Sequence, residues 1–245
     1  MDRAQAVAGR VVSGWVCGVG VGPGDPELLT LKGLRIIRQA DVLAFPAPLE
    51  GESFARSIVA SYLDDARIEL PIRMPMQAAR FPARAVYDRA VQEIAAHLEA
   101  GRGVVVLCQG DPFLYGSFLY LFARLSTDWP VEVVPGVSSL TACAAAAGSA
   151  LAARNDVLSV LPAPLGDAEL EARLSACDTA VLVKVGRHFE RVRSLLMRLG
   201  LGDSARLVVH AGLPDERVLP LDRVDPADVP YFSTILLHKR GRAWS

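Results

Sequence analysis

One loop design occurs twice in this chain, and it narrows the folds open to it. A β-rich run over Gly14–Val21 enters Gly22-Pro23-Gly24-Asp25-Pro26, and an apolar run over Val104–Cys108 enters Gln109-Gly110-Asp111-Pro112. In each, glycine turns the backbone sharply without side-chain bulk. Aspartate then stands where a helix start needs an acceptor for its orphan N–H groups. Proline follows at the first helical position, where its missing donor costs nothing. A strand running straight into a helix start, used twice, predicts a parallel sheet, whose carboxyl edge is where open α/β folds hold ligands. Taken singly, Gly-Asp-Pro is only a good helix start; two such turns in one sheet point to a site.

The rest of the chain keeps the same rhythm. Helical periodicity covers Glu27–Gln39, with Leu28, Leu31, Leu34 and Ile37 on one face, then Ser53–Tyr62 and Ala83–Ala100, and a further helix follows Pro112. Val42–Phe45 reads as a buried strand closed by Pro46 and Pro48, and Arg67–Leu70 as a short strand before Pro71. After a boundary at Asp128-Trp129-Pro130 the alternation restarts: strands at Val131–Val134, Val157–Leu161, Ala180–Val185, Leu207–His210 and Phe232–His238, with helices at Ser139–Ala147, Asp167–Ala176 and Phe189–Leu199. The expected architecture is α/β: domains 1–129 and 130–245, each with a mostly parallel sheet, and a cleft between them.

Composition closes off several functions. With 26 Lys and Arg against 27 Asp and Glu, the chain has no global pull toward nucleic acid or a lipid surface. The most apolar stretch, Leu140–Ala153, is made of small residues and is too short to span a bilayer. Asp2, Arg3 and Arg10, with no long apolar run beside them, do not read as a secretory signal. Cys17, Cys108, Cys143 and Cys177 are scattered, as expected for reduced core thiols of a cytoplasmic protein. His97, His188, His210 and His238 lack metal-ligand spacing, so no metal site is expected.

The nearest competing motif fails. Gly18-Val19-Gly20-Val21-Gly22-Pro23 approaches G-x-G-x-x-G, but proline holds the sixth position and Asp41 precedes the second strand instead of following it. No P-loop sequence occurs. What the segment Gly18–Leu31 does resemble is the opening motif of the tetrapyrrole methylases, the class III methyltransferases. Gly110-Asp111-Pro112-Phe113-Leu114-Tyr115-Gly116-Ser117 resembles their second motif, and Val133-Val134-Pro135-Gly136-Val137-Ser138-Ser139 their third. Closer likeness, at Phe113–Ser117, Arg154–Leu158, Val183–Arg187 and Tyr231–Thr234, is to members that methylate C(20) of precorrin-2 or of its cobalt form, cobalt-factor II.

The resemblance implies a homodimeric two-domain enzyme that takes S-adenosylmethionine and a small-molecule tetrapyrrole, and releases S-adenosylhomocysteine. Carried over residue by residue, it implies cofactor contacts at Pro23, Gln109, Gly110, Asp111, Leu114, Ser138, Ser139, Lys184 and Gly212. Gln109 stands where that group often carries glutamate, and Arg73-Met74-Pro75-Met76 is a loose version of its Pro-Met segment. The substrate's carboxylates call for arginines, and Arg73, Arg80 and Arg84 are candidates, with a solvated-surface role as the alternative. Tyr115 is either a wall of the site or a core aromatic. No side chain stands out as a catalytic base. The same fold is compatible with a different acceptor carbon, with uroporphyrinogen, or with a cofactor-binding module that turns nothing over.

Overall fold

A computed structural model of the chain describes residues 6–7, 10–11, 14–63, 66–74 and 83–240. Arg80, one of the candidate substrate arginines, lies outside them. The chain divides into two compact units, Met1–Ser138 and Ser139–Ser245. Strands β1 (Ala6–Val7) and β2 (Arg10–Val11) form a small antiparallel pair that the sequence did not announce.

The first unit is built on five parallel strands: β3 (Trp15–Gly20), β4 (Val42–Pro48), β5 (Ile68–Met74), β6 (Gly103–Cys108) and β7 (Val131–Val134), in the order β5-β4-β6-β3-β7. Both faces are covered, which is why β6 is apolar throughout instead of alternating. Val104, Val106 and Cys108 face a core with Ile94 and Leu98 of α3 (Ala83–Glu99) and Phe118 and Leu121 of α4 (Phe118–Leu125). Val105 and Leu107 face the opposite core, with Ile36 and Ile37 of α1 (Leu31–Gln39) and Ile58 of α2 (Phe54–Ile58).

Several boundaries differ from expectation, each for an identifiable reason. Val131–Val134, expected to open the second domain, pairs in parallel with β3 and so completes the first sheet. Pro46 and Pro48 do not close β4: β6 pairs only with Val42–Ala44, so the prolines lie beyond the reach of that ladder. Pro71 sits inside β5, an edge strand, where a missing donor is tolerated. The helix expected from Glu27 is split. Asp25 caps a 3-10 turn over Pro26–Leu28, and Thr30 starts α1 by accepting the Gly33 N–H at 3.0 Å. Leu31, grouped with Ile37 on one face, is 87% exposed, whereas Ile37 is buried together with Gly33 and Ile36.

The second unit corrects the expectation of a mostly parallel sheet. Its strands β8 (Leu158–Pro162), β9 (Thr179–Val183), β10 (Ala205–Val209), β11 (Arg217–Pro220) and β12 (Ser233–His238) are ordered β11-β10-β12-β9-β8. Only β8 and β9 are parallel neighbours. The crossover helices α6 (Asp167–Ser175) and α7 (Phe189–Arg198) do keep β8, β9 and β10 pointing one way. However, β12 inserts between β9 and β10, antiparallel to both, and the unforeseen β11 folds back on β10. Leu170, Phe189, Val192 and Leu196 pack one face of this sheet, and Leu140 and Cys143 of α5 (Ser139–Ala146) pack the other. No helix among the described residues is long and apolar enough to cross a membrane.

Candidate active site

Strands β6, β3 and β7 are adjacent and parallel, so the loops that follow them emerge side by side at one carboxyl edge. Beyond the strands the first two loops pair again. Gly110 N–H donates to the Gly22 carbonyl at 2.7 Å, and Gly22 N–H to the Gly110 carbonyl at 3.4 Å. Both glycines adopt left-handed backbone, φ 85° at Gly22 and 65° at Gly110, which a side chain would resist. The third loop closes in from the other side. A Cβ on Gly136 would stand 2.1 Å from the Gly110 carbonyl oxygen, and one on Gly20 would stand 2.5 Å from that oxygen and 2.5 Å from Gly136 N. Only glycines let three backbones approach this closely.

Asp111 braces the arrangement. One carboxylate oxygen accepts Phe113 N–H at 2.9 Å, and the other accepts Gly136 N–H at 3.1 Å. It therefore does not cap a helix as expected: α4 begins only at Phe118, after a turn through Phe113–Ser117. Tyr115 in that turn has φ 54°, unusual for a bulky residue, and its ring is exposed rather than in the core. Phe113 packs edge-on against Phe122 at 5.1 Å, which anchors the turn.

Of the residues expected to contact a cofactor, Pro23, Gln109, Gly110, Asp111 and Leu114 thus lie on the two paired loops, with Ser138 at the end of the third. Pro23 and Gly110 are buried, Gln109 and Asp111 are half-buried, and Leu114 is exposed. Ser139, Lys184 and Gly212 belong to the second unit. Ser139 opens α5. Lys184 follows β9 with φ 60°, and Gly212, at φ 77°, donates its N–H to Glu216 at 2.7 Å. Of the candidate arginines, Arg73 donates to the Pro48 and Leu49 carbonyls, and Arg84 is exposed.

The histidines divide sharply. His97 lies 2.8 Å from an Arg102 guanidinium nitrogen on the helix surface. Burial, and then the charges of Arg187 and Arg191, push His188 below its ordinary value. His238 is buried, 3.5 Å from Asp156. His210 Nδ1 lies 2.5 Å from an Asp215 carboxylate oxygen, a pairing that the sequence reading missed. The only linear signal was a His and an Asp bracketing a Gly-Leu-Pro turn. The four cysteines are all buried and form no disulfide, and no group of three or more metal-ligating side chains occurs among the described residues.

Three glycine-bearing loops locked at the carboxyl edge of a parallel sheet define an α/β protein with closely packed backbone at that edge. The chain matches the family model for tetrapyrrole (corrin/porphyrin) methylases over residues 16–225, and it belongs to that family. It is 42% identical over 232 residues to the Mycobacterium tuberculosis cobalamin biosynthesis protein CobIJ, a match covering 91% of this chain but only 46% of that protein. It is 38% identical to a precorrin-2 C(20)-methyltransferase from Sinorhizobium, covering 91% of this chain and 95% of that enzyme. The solved uroporphyrin-III C-methyltransferase of Thermus thermophilus, complexed with S-adenosylhomocysteine, superposes with a TM-score of 0.67 at 26% identity, covering 92% of this chain and 97% of that one.

Proposed function

We propose that this chain transfers the methyl group of S-adenosylmethionine to C(20) of precorrin-2 or of its cobalt form. The observation that carries the reading is the backbone cradle of Gly20, Gly22, Gly110 and Gly136, together with near full-length likeness to the Sinorhizobium enzyme. Cofactor contacts are proposed at Pro23, Gln109, Gly110, Asp111, Leu114 and Ser138 of the first unit, and at Ser139, Lys184 and Gly212 of the second. Work in the cytoplasm as a homodimer is part of the proposal, supported by family likeness, and sedimentation velocity tests the dimer.

The cradle fits such a ligand. Crowded glycine backbone offers carbonyl and N–H groups to ribose, adenine and an amino-acid end, where side chains would collide. The N-terminus of α5, at Ser139, favours a carboxylate. When bound, S-adenosylmethionine supplies an already activated methyl group. The protein's work is therefore alignment of donor and acceptor, which is worth about 7–11 kcal/mol of barrier.

The test is to incubate the protein with methyl-labelled S-adenosylmethionine and either precorrin-2 or its cobalt form, and to locate the label by NMR. A single label on the meso carbon between rings A and D is expected. Label on another carbon would assign a different acceptor. Binding without transfer would make the chain a cofactor-binding module.

A further inference from the structure

A C–H carbon that gains a methyl group must lose its proton, and the sequence offered no base to take it. The second unit holds a histidine in an unusual setting. His210 follows β10 directly, and its backbone is pinned on both sides: its N–H donates to the Phe232 carbonyl at 3.0 Å, and its carbonyl accepts Leu213 N–H at 2.9 Å. Its φ is 55°, left-handed backbone in a residue that is not glycine. Strain of this kind gathers at functional sites. The ring is held as tightly as the backbone, with Nδ1 2.5 Å from Asp215 and the imidazole 23% exposed.

The surroundings point the same way. The loop 210–216 also carries Gly212, one of the proposed cofactor contacts, and Glu216 accepts the Gly212 N–H. Strand register places Val209 opposite Ser233, and Leu182 opposite Ile235 two residues further along β12. The ends of β9 and β10 therefore lie at one edge of this sheet, which brings Lys184, His210 and Gly212 to the same side. Lys184 and His210 are two of the four non-glycine residues with left-handed backbone among the described residues.

We propose that His210, oriented by Asp215, is the base that removes the acceptor carbon's proton; this rests on the methyltransferase reading above. With Nδ1–H donating to the Asp215 carboxylate, the tautomer is fixed and Nε2 is the accepting nitrogen. The acceptor carbon's electron pair forms the new C–CH3 bond, the S–CH3 bond breaks, and its pair stays on sulfur as a thioether. The C–H bond then breaks, its pair restores the ring's double bond, and the proton passes to Nε2. The resulting imidazolium faces the Asp215 carboxylate and returns its proton to water. The His210 hydrogen bond holds the Asp215 carboxyl below its ordinary range, which keeps that partner charged. Asp215 is a positioning residue in this scheme, and His210 a catalytic one.

The test compares His210→Asn, His210→Gly and Asp215→Asn with the wild type for transfer to precorrin-2. Asparagine and glycine both accept left-handed backbone, so neither change should unfold the loop. His210→Asn is expected to lower kcat about 10²–10⁴-fold, the usual contribution of a general base, with S-adenosylmethionine affinity by calorimetry unchanged. Added imidazole should partly restore His210→Gly, whose hole it fits. Asp215→Asn should lower kcat less, with KM unchanged. Undiminished kcat in His210→Asn overturns the assignment, as does a loss in His210→Gly that imidazole cannot restore. A wild type that binds cofactor but methylates no tetrapyrrole overturns the methyltransferase reading first, and this assignment with it.

Discussion

Asp111 ties two loops together: its carboxylate accepts Gly136 N–H at 3.1 Å across 25 residues of sequence while also closing its own turn at Phe113. A residue that resembled a helix cap is a brace between the second and third loops. Both of its oxygens are already engaged by backbone, so it acts on a ligand at least partly by fixing where those loops stand.

Asp111→Ala should therefore cost stability and cofactor affinity together. Loss of the acceptor leaves two N–H groups to find other partners, at about 1–3 kcal/mol for a hydrogen-bonding group left unmatched in a partly buried site. Urea unfolding and calorimetric titration with S-adenosylmethionine measure the two losses. Reduced stability with unchanged affinity would confine Asp111 to a structural role, and unchanged stability would rule out the brace.

The close approach of Gly20, Gly110 and Gly136 predicts a second asymmetry. Gly136→Ala puts a Cβ 2.1 Å from the Gly110 carbonyl, so one backbone must move. Overpacking of this sort costs about 1–3 kcal/mol, and it should displace the loops enough to abolish tight cofactor binding. Gly166→Ala is the control. Nothing lies within 4 Å of its added Cβ and its φ is −66°, so a change within about 0.5 kcal/mol is expected from chain entropy against a weaker cap. Equal effects of the two changes in thermal melts would mean that the cradle is not packed as described.

Local features of the sequence carried the core elements, and long-range ones hid the site's finer geometry. Val104–Cys108 was legible as a buried strand because five consecutive apolar residues make sense only with both faces covered. Two loops at one carboxyl edge followed from strand-helix alternation. The start of α4 was not legible, because the chain continues past Pro112 into a turn closed by Phe113 N–H on Asp111, which Gly136 N–H braces from 25 residues away. Nor was the direction of β12, since nothing within Ser233–His238 records that its neighbours are β9 and β10. The link from His210 to Asp215 spans a turn that opens with left-handed backbone at His210, which no residue pattern announces.

Cys108 and Cys143 should be chemically silent in the native state. Burial, and then the neighbouring Cys17, push Cys108 well above the ordinary thiol range, and burial pushes Cys143 up to about 11. Thiolate is the reacting species, so at pH 8 neither should alkylate while folded. Iodoacetamide labelling followed by mass spectrometry should show modification of Cys108 and Cys143 only as fast as the protein opens. Rapid labelling of either in the native protein would contradict the packing against β3 and against Thr234.

Acid should release the loop before β8. One Asp156 oxygen accepts Ala153 N–H at 2.8 Å, the other meets the Arg240 guanidinium, and His238 lies 3.5 Å away, with the carboxyl side chain 7% exposed. The Ala153 hydrogen bond, with Arg240 and His238 behind it, holds this carboxyl below the ordinary 3.8. Between that lowered value and the ordinary one, the unfolded chain binds a proton that the folded chain refuses, so falling pH favours unfolding. The contribution is complete above the ordinary value and disappears as pH drops through the folded one. Unfolding free energy measured from about pH 6 to pH 2 should fall more steeply for the wild type than for Asp156→Asn, whose side chain does not titrate. Asp156→Asn should start lower at pH 6, and the two curves should converge in acid. Parallel curves would mean that Asp156 titrates alike in both states, and that the contacts to Ala153 and Arg240 do not stabilise the fold.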